Sequence, residues 1–467
     1  MKFDYKEEKI YALISSQKMV QYMWKYTLHT QSTQIPCAVI TDERMDFDML
    51  AKALNIEIMR NDCLRLRFIK KGTKIKQIFL EEYKYPSVKV SSFSSETEQN
   101  EYFKKLSSGK LNIFGGETFR VEFFNAFDGK CGIYLIVSHV VMDAAATYIF
   151  FKDLFDVYDA LVKNEPLPRE LSKYEDIIKK ELSDEKFPLR VKEQKKILED
   201  FVKKDHPPLY CGINGPVALE KERKLRRNKE LRAPSVYFPL FDKSEMLKLP
   251  VSKEESAAID EYISEKGFSP EWVIQAGIRI YLSSLNYSEN DTLLWVLCPR
   301  RKTVKEKRCG GTLASPLPWR EQFDGNITFD EAVKQLASTQ SFLFRYTDVP
   351  FTEIRDTERK LFGYSVMESA NSMMFSYLPV QKGTFGDRNC RYTGFSMGYY
   401  VMPLYLIAMR NEESGNYILS YIYRPSAFRE DEVRSFQKGV VRTIINGIKS
   451  PGKTITEITE EKSCLKE

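Results

Sequence analysis

An apolar run that stops on a histidine constrains this chain most. Gly132-Ile133-Tyr134-Leu135-Ile136-Val137 reads as a buried strand. Ser138-His139-Val140-Val141-Met142-Asp143 follows it and leads into a helical run from Ala144 to Leu161. A buried strand handing over to a helix through a short turn points to a mixed α/β fold. The chain has only three histidines, and His139 sits at this junction. An imidazole there has backbone on one side and solvent or substrate on the other, so it can serve as a general base. Asp143 can lock the turn or neutralise a neighbouring cation. By spacing alone, a half-buried histidine bonded to a backbone carbonyl is an equal reading, and both stand at this level.

At 467 residues the chain exceeds one ordinary core, so two domains are expected. Hydrophobic content of 43% and charged content of 29% fit a water-soluble protein, and the 26 Tyr and 30 Phe can fill large cores or line a tunnel. The net charge of +6 is modest, and no interleaved basic and aromatic repeat argues for nucleic acid. The eight cysteines (37, 63, 131, 211, 298, 309, 390 and 464) contain no Cys-x-x-Cys pair. That usage reads as reduced thiols in a cytoplasmic protein, with no disulfide frame and no metal site. The N terminus is charged, without a signal-type apolar run, and no stretch reaches the length of a membrane span.

Local patterns place further elements. A helix is expected around Met19-Val20-Met23-Trp24, a strand over 35–42, and an amphipathic helix over 47–59. A turn at Lys71-Gly72-Thr73 precedes a strand through Gln77–Leu80. Strands over 118–125 and 132–137 flank the Asp128-Gly129 hairpin turn. In the second half, 236–240 reads as a strand, 252–266 as a helix closed by Gly267, and Ser269-Pro270 as the start of another helix; 291–299 reads as a strand. The tail after Ser450 is polar and reads as frayed. These patterns divide the chain into an N-terminal lobe over 1–175, a charged junction over 176–235, and a C-terminal lobe over 236–467 with a similar order of elements.

Ser16-Gln17-x-x-x-x-Tyr22-Met23-Trp24, Arg60-Asn61-Asp62-Cys63-Leu64-Arg65-Leu66-Arg67-Phe68, Ser138-His139-x-x-x-Asp143-Ala144, Gly311-x-x-x-Ser315-x-Leu317-Pro318-x-Arg320 and Tyr346-Thr347-Asp348-Val349-Pro350-Phe351 follow one another along nearly the whole chain. In that order they resemble the motif blocks of the condensation domains of nonribosomal peptide synthetases. Those domains belong to a superfamily with chloramphenicol acetyltransferase and the CoA-dependent acyltransferases. The resemblance implies an α/β fold of two acetyltransferase-like lobes in a V-shaped pseudo-dimer, with His139 in a tunnel between them. It implies a His-x-x-x-Asp enzyme of secondary metabolism that needs no bound cofactor and no metal. The donor would be a phosphopantetheine thioester on an acyl or peptidyl carrier protein, or acyl-CoA; the acceptor would be a small amine or alcohol.

Within that pattern His139 is the catalytic base and Asp143 a structural anion. Arg65 is the expected salt-bridge partner of Asp143, with Arg67 second. Backbone amides near Ala144 and Ala145 are expected to meet the oxyanion. Three positions depart from the family. Ser138 replaces the first histidine of the pair, Ala144 replaces a glycine that a positive φ would require, and Ser315 replaces an asparagine with oxyanion or acceptor contacts. Cys131 and Cys309 are read as buried structural thiols, His29 and His206 as a helix-face or core residue and a loop residue, and Met397, Tyr399 and Tyr400 as acceptor-side or core residues. The basic runs Lys221–Lys229 and Arg300–Arg308 fit CoA phosphates, an acidic carrier protein, or a plain solvated face.

The functional expectation is a free-standing, monomeric condensation-type enzyme that forms an amide from a carrier-bound acyl or aminoacyl group. The alternatives are a stand-alone acyl-CoA-dependent O- or N-acyltransferase and, given Ser138 and Ala144, a non-catalytic member that recruits partner enzymes.

Overall fold

The computed structural model describes residues 10–72, 74–237, 242–371, 373–378, 385, 388–411 and 414–460. The chain forms two compact units. The first draws on 1–190, 299–315 and 381–399, and the second on 191–298, 316–380 and 400–467.

In the first unit a five-stranded sheet runs in the order Cys390–Gly394, Gln34–Thr41, Cys131–Ser138, Phe119–Asn125 and Lys89–Ser92. The strand Cys131–Ser138 lies antiparallel between two partners, with Val137 opposite both Ile35 and Phe119. Every residue of it is buried, which explains why its sequence reads as continuous apolar rather than alternating. A three-stranded sheet of Ile10–Ala12, Lys74–Phe79 and Leu66–Lys71 lies in the same unit. The expected turn before Lys74 includes Gly72, at φ +61°, while Thr73 lies outside the described residues. The helix Phe47–Arg60 packs on the helix Ala144–Lys163. Between them Arg60 donates to both oxygens of the buried Asp153, at 2.6 and 3.0 Å.

The second unit is organised on a six-stranded sheet in the order Ser315–Gln322, Asp291–Cys298, Met374–Leu378, Leu404–Arg410, Tyr417–Tyr423 and Glu245–Pro250. Its helices obey the local signals. Ser252 caps Lys253–Lys266 in a capping box, Gly267 closes that helix at φ +68°, and Ser269 caps Pro270–Leu285 with Pro270 at the first turn. The helices Pro270–Leu285 and Glu430–Lys449 cross so closely at Gly439 that a Cβ there would overlap the Tyr281 ring.

Three local expectations change. Val236 and Tyr237 both donate to the Met367 carbonyl instead of starting a strand ladder, and 238–240 lie outside the described residues. The segment after Ser450 contains the helix Ile455–Glu460, anchored by buried Ile455 and Ile458; its polar composition hides two well-spaced apolar residues. The units also divide the chain differently from a 1–175, 176–235, 236–467 partition. The first break falls inside the helix Phe187–Lys203, and two later segments return to the first unit. The strand Cys390–Gly394 joins its sheet at Gln34–Thr41, a pairing that local patterning does not encode.

Candidate active site

The junction at His139 is held by its backbone first. The Ser138 amide donates to the Thr118 carbonyl at 2.9 Å and the His139 amide to the Thr33 carbonyl at 2.8 Å. The Ser138 carbonyl then accepts from Val141 and Met142 at 2.8 and 3.2 Å, closing a tight turn. Val140, Val141 and Met142 are fully buried and anchor it. The Val140 carbonyl accepts from Gln17 Nε2 at 3.2 Å, and the Val141 carbonyl from the Thr312 amide at 3.0 Å. The first and fourth motif blocks therefore meet the third through main-chain carbonyls, all within the first unit.

Asp143 ends the turn in an extended conformation and caps the helix Ala144–Lys163, its Oδ1 accepting from the Ala146 amide at 2.8 Å. The same oxygen accepts from Arg301 Nη2 at 2.8 Å. Oδ2 accepts from the amides of Leu313 and Ala314 at 2.7 and 2.9 Å. Burial works to raise this carboxyl's pKa, but the Arg301 charge and the three backbone donors outweigh it and hold the group below its ordinary value. Arg301 in turn donates to the carbonyls of Glu306, Cys309 and Gly311 at 2.7, 2.6 and 2.8 Å. The loop they wrap comes close to its surroundings: an added Cβ at Gly310 would overlap the Asn61 side chain, and one at Gly311 the Tyr174 ring.

Arg301 corrects the expected partners of Asp143. Arg65 points to the C-terminal end of the helix Phe47–Arg60, donating to the carbonyls of Ile58 and Met59 at 2.8 and 2.7 Å and to Leu80 at 3.0 Å. Those helix-end carbonyls lack intrahelical partners, and a nearby guanidinium satisfies them. Arg67 is buried, donates to the carbonyls of Leu64 and Leu66 at 3.0 and 2.7 Å, and lies 4.4 Å over the Tyr83 ring. Arg301 stood inside a run read for its charge. The signal that marks it is position: it follows the buried strand Asp291–Cys298 closely, much as His139 follows its own.

His139 is half-buried. Burial pushes its pKa below the ordinary imidazole value, against the smaller opposing pull of the Asp143 charge and of its own backbone carbonyl. A neutral imidazole is thus the favoured form near pH 7. Ala144 opens the helix and has no positive φ, so its backbone does not require the family's glycine. The Oγ atoms of Ser138 and Ser315 are buried without a hydrogen-bond partner among the described residues. The helix terminus at Ala144 and Ala145 already carries the Asp143 carboxylate, which offsets part of its positive potential.

The remaining sequence candidates take other places. Cys131 donates to the Glu43 carbonyl at 2.9 Å, and Cys309 accepts from the Gly311 amide at 3.5 Å. Burial raises both thiols, Cys309 to about 12, so neither is a thiolate at neutral pH. His29 stacks on Tyr399 with centroids 3.9 Å apart. His206 contacts Arg320, whose main partner is the buried Asp291. Tyr400 donates to Met374 Sδ at 3.3 Å, and Met397 is buried. In the run at 221–229, Arg223 pairs with Glu220 at 2.9 Å and Arg226 with Glu222 at 2.6 Å. Among the described residues, no cluster of three or more His, Cys, Asp or Glu can hold a metal ion, and no helix is long and apolar enough to cross a membrane.

Comparison with known proteins converges on one family. The condensation-domain family model matches residues 7–194. A plipastatin synthase of Bacillus subtilis (strain 168) is 21% identical over 470 residues, which cover 98% of this chain. The chain spans 17% of that relative's length. Among solved structures, the first condensation domain of the calcium-dependent antibiotic synthetase, in complex with a substrate analogue, superposes with a TM-score of 0.78 at 16% identity, covering 97% of this chain and 99% of that one. A mutant form of the starter condensation domain of rhizomide synthetase, in complex with C8-CoA and Leu-SNAC, gives a TM-score of 0.78 at 12% identity, covering 96% of each chain. The fold is that of the condensation domains of nonribosomal peptide synthetases, and residues 7–194 match the model of that family.

Proposed function

We propose that this protein is a condensation-type acyltransferase. It moves an acyl or aminoacyl group from a carrier-protein thioester to an amine, with His139 as general base. The observation that carries this reading is a half-buried imidazole, biased toward its neutral form, on a turn that Asp143 and Arg301 hold rigid. The amine nitrogen attacks the thioester carbonyl and its proton passes to His139. The tetrahedral intermediate collapses, the C–S bond breaks, and the protonated imidazole returns the proton to the departing thiolate. A positioned base of this kind contributes about 10²–10⁴-fold. Holding both substrates in reacting geometry supplies the larger share. Asp143 serves by position, since its two oxygens already accept four hydrogen bonds. The buried Ser138 and Ser315 hydroxyls are the proposed substrate-facing polar groups.

A second reading changes only the donor. The rhizomide synthetase domain that shares this fold was captured with C8-CoA, so an acyl-CoA donor belongs in the same test. The protein is incubated with acyl-CoAs and acyl-carrier proteins, each with pooled amines and alcohols. Thiol release and product mass are followed, with His139→Ala as control. Turnover with carrier-bound donors alone supports condensation chemistry, and turnover with free CoA thioesters supports the second reading. If no donor reacts faster than with the variant, the enzymatic reading falls and a recruiting role replaces it.

A further inference from the structure

A cleft in the second unit lies between the end of the strand Glu245–Pro250 and the helix Glu430–Lys449, with a volume of about 350 Å³. Val251, Val441 and Ile445 give it apolar walls. Gln437 also lines it and is only 6% exposed. The Tyr421 hydroxyl donates to Gln437 Oε1 at 2.6 Å, which orients the carboxamide. Gln437 Nε2 is left buried with no acceptor among the described residues. A buried donor without an acceptor costs about 1–3 kcal/mol, so this group calls for one. Lys438 and Arg442 stand exposed along the same cleft, and no ion pair engages either among the described residues. The cleft's one carboxylate, Glu255, accepts from the Ser252 amide at 3.2 Å as part of a helix cap.

An apolar wall, a buried amide donor and two uncompensated cations define one ligand chemistry. We infer that this cleft binds a small amphipathic carboxylate, its head accepting from Gln437 Nε2 beside Arg442 and Lys438 and its short tail on Val251, Val441 and Ile445. An alcohol of equal length would keep the tail contacts and lose the charge-assisted bonds. Two cations against one capped carboxylate leave the cleft positive, so an amine of that length would bind worst.

The test uses the whole protein with hexanoate, hexanol and hexylamine, followed by calorimetry and by methyl chemical shifts of Val251, Val441 and Ile445. Hexanoate is expected to bind at least about tenfold more tightly than hexanol, in line with a charge-assisted hydrogen bond, and to move those methyls. Arg442→Glu, on the exposed face, is expected to weaken hexanoate at least about tenfold and leave hexanol unchanged. Gln437→Leu should do likewise, and its thermal midpoint separates lost binding from lost folding. Equal binding of hexanoate and hexanol, shifts confined to other methyls, or indifference to Arg442→Glu would each overturn the inference.

Discussion

Arg301 and Asp143, 158 positions apart, form a buried ion pair at 2.8 Å that joins the His139 turn to the loop ending at Ala314. One carboxylate caps a helix, neutralises a guanidinium and fixes two amides of a distant segment. The His139 turn is rigid because each of these partners is itself held.

Breaking that pair from the arginine side leaves a buried charge with backbone donors alone. Arg301→Ala is expected to cost about 3–5 kcal/mol, the usual penalty for orphaning one member of a buried pair. Denaturant titration reads this directly. A loss under about 1 kcal/mol, the range of an exposed pair, would mean that the pair is peripheral.

The Asp143 carboxyl is held below its ordinary value in the folded state. Its stabilisation is therefore full above the unfolded-state pKa and is lost as pH falls through the lower, folded one. The wild type should lose stability through that acid range, and Asp143→Asn should flatten that part of the curve while being less stable at pH 7. Parallel curves would contradict the assignment.

His139→Ala should reduce acyl transfer by about 10²–10⁴-fold and leave the thermal midpoint nearly unchanged. Because burial lowers the imidazole pKa, the wild-type rate should hold constant near neutrality and fall only as the medium is made more acidic than pH 6.5. A midpoint above 6.5 in the rate profile would be inconsistent with this environment.

Glu57 is fully buried beside Asp153, and burial first, then the Asp153 carboxylate, push its pKa well above the ordinary value. The folded state thus takes up a proton there. Its contribution is most favourable at low pH and diminishes as pH rises from the unfolded-state pKa toward the folded one. Glu57→Gln keeps an acceptor for the Asn61 side chain and should gain stability relative to wild type as pH rises from 5 to 8. A pH-independent difference would rule out proton uptake at Glu57.

Gly439→Ala tests the close helix crossing in the second unit. Alanine gains about 1 kcal/mol of helix propensity, but its Cβ would overlap Tyr281. Overpacking costs about 1–3 kcal/mol, so a lowered thermal midpoint is expected, and an unchanged or raised one would show that Tyr281 moves aside freely.

What neighbours along the chain decide is legible in the amino-acid order alone. The apolar run before Ser138 stops where its strand stops, Asp143 caps the helix that follows, and Ser252, Gly267 and Ser269-Pro270 bound their helices where capping chemistry requires. These signals are local, acting over one turn or one strand face, so they survive without tertiary context. Arginine pairing is not local. Arg65 and Arg67 satisfy carbonyls near them in sequence, while the arginine that reaches Asp143 comes from another segment. With 71 lysines and arginines in the chain, charge alone cannot rank the partners. The choice is made in three dimensions: 299–315 and 381–399 return to the first unit, and their return sets which guanidinium the buried carboxylate meets. A buried charge selects its partner by geometry rather than by proximity in sequence.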